Sequence, residues 1–253
     1  MEKILAQGAE AVIILSENFI IKDRVKKSYR LPELDNKIRK QRTKSETKLL
    51  EKASKIINTP TPSFEPTKES YRIKIPYIKG EKLSDHLNKF SLEKQKVVMN
   101  EVGNSIAKLH SHDIIHGDLT TSNMILVEDS GNNLKEISKI KIDIKKTLKL
   151  KSSQRSALTK SGAEQSQSAN EMSSNFSVCF IDFGLGFISK KIEDKAVDLH
   201  LLKEALEEKH FQHWQELWKE VEKSYEKQYP QECEKVFERL HVVEKRGRYK
   251  DKY

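Results

Sequence analysis

The segment His116-Gly117-Asp118-Leu119-Thr120-Thr121-Ser122-Asn123 runs straight into the apolar stretch Met124-Ile125-Leu126-Val127. Asp118 and Asn123 lie five positions apart, a spacing that lets one loop present a carboxylate to a hydroxyl nucleophile and an amide oxygen to a magnesium ion. Further along stands Ile181-Asp182-Phe183-Gly184-Leu185-Gly186. There a strand is expected to deliver Asp182 to a cleft, with Gly184 permitting a sharp backbone turn after it. Either segment alone is only moderately specific; the two in this order form a strong signal. Magnesium favours oxygen ligands in an octahedral shell completed by phosphates and water, which Asp182 and Asn123 can supply together with ATP.

These two segments follow the general pattern of protein-kinase catalysis, and that pattern makes a further demand. A lysine should close the third strand and a glutamate should face it from the next helix. Lys22 ends Phe19-Ile20-Ile21-Lys22, and Glu46 lies in a basic helical stretch downstream of it. Lys22 alone would pass for an ordinary surface lysine; its place after a strand pair and ahead of both loops selects it. Between the lobes, a nucleotide base needs one backbone carbonyl and one backbone N–H. With Ile75 at the inner edge of that crossing, Pro76 offers its carbonyl and Ile78 its amide, so the proline is compatible with ATP.

Outward from these motifs, the start of the chain reads as strands at Ile4–Ala6, Ala9–Leu15 and Phe19–Lys22, with a turn at Ser16–Asn18, as in an antiparallel meander. Leu34–Ser54 changes to helical spacing without Pro or Gly. Pro60, Pro62 and Pro66 mark a loop, and Tyr71–Tyr77 alternates like another strand before Gly80. Leu92–His112 reads as a buried helix, Met124–Val127 and Val178–Ile181 as strands, and Asp194–Val243 as helical, with Trp214 and Trp218 one turn apart as packing residues. Glu128–Ser177 is rich in Lys, Ser, Asn and Gln, which suits an inserted, mostly disordered segment better than a loop of a packed domain.

Composition sets outer bounds. With 253 residues, 34% of them charged and 36% hydrophobic in periodic blocks, one catalytic domain is the expectation. No apolar run approaches the roughly 20 residues a membrane helix needs, so no membrane partner and no secretory signal are expected. Two cysteines, Cys179 and Cys233, support neither a disulfide framework nor a zinc site, which fits a cytoplasmic or nuclear setting. Cys179 reads as a small core residue, and His116 as a brace of its loop rather than a metal ligand. The balance of 47 Lys plus Arg against 38 Asp plus Glu gives a net charge of +9, which suits either a polyanionic partner or a solvated lysine-rich surface.

The strings Gln7-Gly8-Ala9-Glu10-Ala11, IIKDRVKKSYRLPELDNKIRKQRTKSE at 20–46, HGDLTTSNMIL at 116–126, IDFGLGFIS at 181–189 and EDKAVDL at 193–199 resemble the small atypical protein-kinase subunit of the KEOPS (EKC) complex, the PRPK-type kinases. The resemblance spans nearly the whole chain outside 128–177. It implies a minimal bilobal α+β kinase fold, with a small antiparallel-sheet lobe over 1–76 and a mainly helical lobe over 77–253. It also implies Asp118, Lys22 and Glu46 as catalytic, with Gln7, Gly8, Ala9, Glu10, Ala11, Lys22, Pro76, Ile78, Asn123 and Asp182 around ATP and Asn123 and Asp182 on Mg2+. The implied work is ATP hydrolysis or autophosphorylation in support of threonylcarbamoyl modification of tRNA. Implied partners are the KEOPS transferase subunit, the other KEOPS subunits, and tRNA held by the basic helix and the tail at 244–253.

Against ordinary protein kinases, the chain has a phosphate loop with Gly8 alone, so few backbone amides can reach phosphates and slow transfer is expected. Gly117 stands where a guanidinium would dock a phosphorylated activation loop, and no peptide platform follows Asp182. Against the KEOPS pattern, the insertion and the tail EKRGRYKDKY are the departures. Two other readings are open: a small-molecule or RIO-type kinase, and an ATP-sensing scaffold that needs no phosphotransfer.

Overall fold

The computed structural model describes residues 2–63, 71–128 and 176–246. The expected insertion at 128–177 falls outside these except at its ends, and so does the tail beyond Arg246.

A four-stranded antiparallel sheet opens the chain, in the order β1 (Glu2–Gln7), β2 (Ala11–Ser16), β3 (Phe19–Arg24) and β4 (Arg72–Pro76). The expected meander therefore gains β4 as a neighbour of β3, and Ala9 and Glu10 lie in the turn before β2 rather than in the strand. The β-branched valine and isoleucines of β2, β3 and β4 suit the pleat. The β2–β3 hairpin turns through Glu17, which adopts a left-handed φ of 55°. Lys22 sits inside β3, not at its end, between Ile13 on one side and Ile73 on the other. Residues directly opposite share a face, so the ammonium stem lies in an apolar row.

Helix α1 (Pro32–Ala53) starts with a proline in its first turn, where the lost N–H is not needed, and carries Glu33 and Asp35 near its positive end. Its buried positions are Asp35, Thr43, Glu46, Leu49, Leu50 and Ala53, a stripe that becomes apolar only toward the C-terminus. The polar half is held by ion pairs, as shown below.

Beyond Pro76 the chain is mainly helical. The short strand β5 (Glu81–Lys82) leads into α2 (Leu83–His86), and α3 (Leu92–Ser111) is capped by Ser91, whose hydroxyl accepts from the Lys94 N–H at 3.3 Å. α3 packs mainly on α5 (Trp214–Gln228), while α4 (Ile192–Lys209) packs on α6 (Cys233–Glu244). Val98, Met99, Val102, Ile106 and Leu109 of α3 meet a core that includes Leu217, Val221 and Tyr225 of α5. Trp218 is buried and Trp214 half-buried, so the pair packs as expected. Lys195 is buried in α4 with its Nζ 2.7 Å from Glu232 Oε2 and 3.0 Å from the Tyr229 hydroxyl.

Two small sheets carry the loops. β5, β7 (Met124–Glu128) and β8 (Phe176–Phe180) form one in the order β5-β7-β8, and β6 (Ile114–Ile115) pairs with β9 (Phe187–Ile188). β7 and β8, which flank residues 129–175 in the sequence, are neighbours in this sheet. Glu128, Phe176 and Ser177 belong to those strands. Cys179 is fully buried in β8, and burial pushes its thiol up to about 12. No described helix is long and apolar enough to cross a membrane.

Candidate active site

Side chains alternate across a strand, so Ile20, Lys22 and Arg24 point to the same face of β3, toward α1. Lys22 Nζ donates to Glu46 Oε1 at 2.8 Å and to Asp182 Oδ1 at 2.5 Å. The other Glu46 oxygen accepts from Arg24 Nη2. Residues expected from three separate stretches thus meet in one ion cluster, and Arg24 joins them unannounced. Burial would raise the Asp182 carboxyl, but the Lys22 ammonium and the Gly184 N–H, 3.1 Å away, hold it below the usual carboxylate range.

The sharp turn expected at Gly184 is present, closed by the Gly186 N–H on the Phe183 carbonyl at 3.0 Å, and it follows Asp182, whose own φ is 61°. Such a conformation costs a non-glycine residue about 1 kcal/mol or more, and here the pull of Lys22 offsets it. Gly184 serves closeness: a Cβ there would stand 2.9 Å from Asp182 Oδ1 and 3.1 Å from Lys22 Nζ.

The loop carrying Asp118 is hung from several points. Asp198 in α4 is buried and accepts the His116 N–H at 2.7 Å through Oδ2 and the Gly117 N–H at 2.9 Å through Oδ1. His110 Nε2 lies 3.3 Å from Asp198 Oδ2, and its Nδ1 lies 2.9 Å from the Tyr225 hydroxyl. Burial would raise the Asp198 carboxyl, but these donors keep it low. His116 Nδ1 accepts from the Asp118 N–H at 3.3 Å, which leaves Nε2 to donate to the Ile181 carbonyl at 3.1 Å. The ring is neutral in that arrangement, in line with burial lowering its pKa. At the other end of the loop, His210 sits between Asn88 Oδ1 at 2.6 Å and Thr121 Oγ1 at 3.1 Å, and burial followed by the nearby Lys209 brings its pKa to about 4.

Asn123 Nδ2 donates to the Asp118 carbonyl and to Asp118 Oδ2, both at 2.9 Å. That fixes the amide so that its oxygen is free of this pair. The Ile181 N–H donates to the Asn123 carbonyl at 2.9 Å and ties the two segments together. Gly117 has φ 79°, and a Cβ on it would lie 2.4 Å from the Leu185 carbonyl oxygen. An arginine side chain does not fit that backbone.

A cavity of about 440 Å³ opens beside the cluster. Ile13, Ile20, Ile73, Ile75 and Ile181 give it apolar walls, Pro76 and Ile78 border it, and Lys22, Glu46, Asn123 and Asp182 supply its polar end. The volume and this one-sided polarity suit a nucleotide base with its phosphates toward Lys22. Among the described residues no group of three or more His, Cys, Asp or Glu is arranged to hold a metal. Asn123 and Asp182 fit magnesium as a partial oxygen set that phosphates and water complete.

Leu5 and Ala6 line the cavity, whereas Gln7, Gly8, Ala9, Glu10 and Ala11 do not. That turn is held by the Gly8 N–H on the Ala11 carbonyl at 3.0 Å, by Lys27 Nζ on the Ala9 carbonyl, and by Arg42 on Glu10 at 2.7 Å. The residues missed from sequence are Arg24, His110, Asp198 and His210. Arg24 was legible as the same-face partner two residues after Lys22, and Asp198 lies in the EDKAVDL string; His110 stands out only in a cluster with His112 and His116 where the helix meets the loop, and His210 left no local mark.

No family model matches the chain. Among curated proteins it is 35% identical to the "KEOPS complex subunit Bud32" of Pyrococcus abyssi, over 99% of this chain and 97% of that one. A "Probable serine/threonine-protein kinase BUD32 homolog" of Archaeoglobus fulgidus is 31% identical over 96% of this chain and 94% of its own. A "Probable bifunctional tRNA threonylcarbamoyladenosine biosynthesis protein" of Methanobrevibacter smithii is 32% identical over 98% of this chain but only 37% of its own. Near-complete coverage on both sides, together with the antiparallel sheet followed by helices, places the chain in the Bud32 family.

Proposed function

We propose that this Bud32-family chain is a magnesium-dependent, ATP-binding phosphotransferase or ATPase that works within a KEOPS complex in threonylcarbamoyladenosine formation on tRNA. The observation that carries the reading is the sharing of Lys22 between Glu46 and Asp182 at the polar end of the 440 Å³ cavity, one loop away from Asp118. Lys22, steadied by Glu46, is placed to hold the α- and β-phosphates. Asp118, whose Oδ2 is fixed by Asn123, orients a Ser/Thr hydroxyl or a water and takes up its proton. Asn123 and Asp182 would hold magnesium, which when bound neutralises charge across the phosphates. The names of the relatives support the complex and the tRNA reaction, and one of them supports the kinase label.

Slow turnover goes with this reading, since the Gly8 turn brings few amides to the cavity. On α1, Lys37, Lys40, Lys44 and Lys48 are exposed and fall on one side of the helix, whereas Arg39 and Arg42 are tied to Asp35 and Glu10. The lysines, not the arginines, are the tRNA-facing candidates. Arg246, the last described residue of the tail, is paired with Glu193.

ATP hydrolysis measured with and without the transferase subunit and tRNA tests the proposal. Asp118→Asn should lower turnover roughly a thousandfold while leaving thermal unfolding nearly unchanged, and Lys22→Ala should lower it as far in a chain that still folds but is less stable, because Glu46 loses a buried partner. Wild-type turnover in Asp118→Asn would remove the assignment, and full rescue of tRNA modification by that variant would favour the scaffold reading.

A further inference from the structure

We infer that Arg24 is a positioning residue that keeps Glu46, and with it helix α1, turned toward Lys22 without any phosphorylated loop. The inference rests on the ATP reading above and adds to it a second cation behind the lysine–glutamate pair. Arg24 is 5% exposed and Glu46 is 3% exposed, so the bond from Arg24 Nη2 to Glu46 is shielded from water. Each Glu46 oxygen is taken by one cation, Oε1 by Lys22 and Oε2 by Arg24. Rotation of the carboxylate away from Lys22 would break both bonds.

The arginine itself has little freedom. Its N–H donates to the Tyr71 carbonyl at 3.2 Å, and its carbonyl accepts from Arg39 Nη1 at 3.3 Å. Arg39 is in turn bound to the buried Asp35 at 2.7 Å, and Asp35 Oδ1 accepts from the Lys27 N–H at 3.3 Å. Helix α1 is therefore tied to β3 and the loop after it near its N-terminus, and again at Glu46. The guanidinium Nε is buried without a hydrogen-bond partner, a cost consistent with a side chain held by its other end.

Charge balance gives the functional consequence. Lys22 and Arg24 oppose Glu46 and Asp182, two cations to two carboxylates. Without Arg24 the Lys22 ammonium would be the one cation left between both carboxylates, with nothing behind Glu46 to hold its second oxygen, so Lys22 would be set less firmly for phosphate. In regulated kinases the corresponding helix is set by activation-loop phosphorylation. Gly117 leaves no guanidinium to read such a phosphate, and Arg24 sets the helix from within.

The test uses the full chain as wild type, Arg24→Lys, Arg24→Ala, Glu46→Gln and the double variant Arg24→Ala/Glu46→Gln. Two quantities are read: hydrogen exchange of α1 residues 42–50, and Mg-ATP affinity with turnover. Arg24→Ala should speed exchange in that segment and weaken ATP binding about tenfold, the scale of one lost charge-assisted hydrogen bond. Arg24→Lys should recover part of both, and the double variant should lose less than the sum of the two single losses, because the Arg24–Glu46 bond is counted in each whereas the Lys22–Glu46 bond goes only with Glu46. Unchanged exchange in Arg24→Ala, or additive losses in the double variant, overturns the inference. If Arg24→Ala does not fold, the uncharged Arg24→Gln carries the same two readouts, and wild-type values there overturn the inference equally. A wild-type chain that binds no ATP would defeat the ATP reading, while the exchange data would still decide whether Arg24 holds α1.

Discussion

The loop at 116–123 and the turn at 7–11 are both expected at the nucleotide, yet they are built in opposite ways. The first hangs from Asp198, His210 and the Ile181 carbonyl, and these anchors are buried or sit on the core strand β8 and its continuation. The second has the Gly8–Ala11 bond, one backbone bond to the neighbouring strand's end from the Val25 N–H to the Glu10 carbonyl, and two surface side-chain contacts, and only Ala11 among its residues is buried. Catalysis by positioning needs fixed groups where bonds change and tolerates loose ones where charge is only collected. The contrast predicts a chain that orients its acceptor well and grips phosphate poorly.

The largest effect should come from cutting the main anchor. Asp198→Ala leaves two backbone N–H groups and His110 without their shared acceptor in a dry site, and is expected to cost about 3 kcal/mol of stability and to abolish turnover. Denaturant unfolding measures the first and ATP hydrolysis the second. A loss under about 1 kcal/mol would show that the loop is not hung as described.

A smaller effect should appear with pH at the far end of the same loop. His210 has a pKa of about 4 in the fold against 6.5 ordinarily, so between those values the unfolded chain holds the extra proton. Stability should therefore fall as pH drops from 6.5 toward 4, by up to about 1.4 kcal/mol per pH unit for this one group. His116, also lowered by burial, adds to the same slope. His210→Asn should reduce stability at pH 8 and flatten the dependence between pH 6.5 and 4. An unchanged slope in that variant would mean that His210 is not held neutral against Thr121.

This contrast also explains what could be read from the chain before folding. Asp118, Asn123 and Asp182 announce themselves because their chemistry sets a short spacing along one segment each. Lys22 and Glu46 follow from their order, although Lys22 lies inside β3 and not at its end. Asp198 reaches the loop from within α4 and His210 from just past its C-terminus, so no local spacing in the loop records them. The turn at Gly184 was legible from its glycine, but the positive φ of Asp182 before it was not, because there an ion pair with Lys22 holds an aspartate in a conformation that glycine usually adopts. The fourth strand of the sheet arrives after a 22-residue helix, and its pairing with β3 is a long-range contact that alternation alone does not fix.

The weakest member of the comparison is the turn, and Glu10 tests it. Its carboxylate pairs with Arg42 at 2.7 Å with both side chains about half exposed, an arrangement worth less than about 0.5 kcal/mol. Glu10→Ala should leave the unfolding midpoint in place. It should also leave Mg-ATP affinity within about twofold of wild type, because an exposed pair outside the cavity lining changes the local potential only through screened solvent. A tenfold gain on removing this negative charge would mean that the turn folds over the phosphates when they bind. The phosphate grip would then be closer to that of the braced loop, and the slow turnover expected from a single glycine would need another cause.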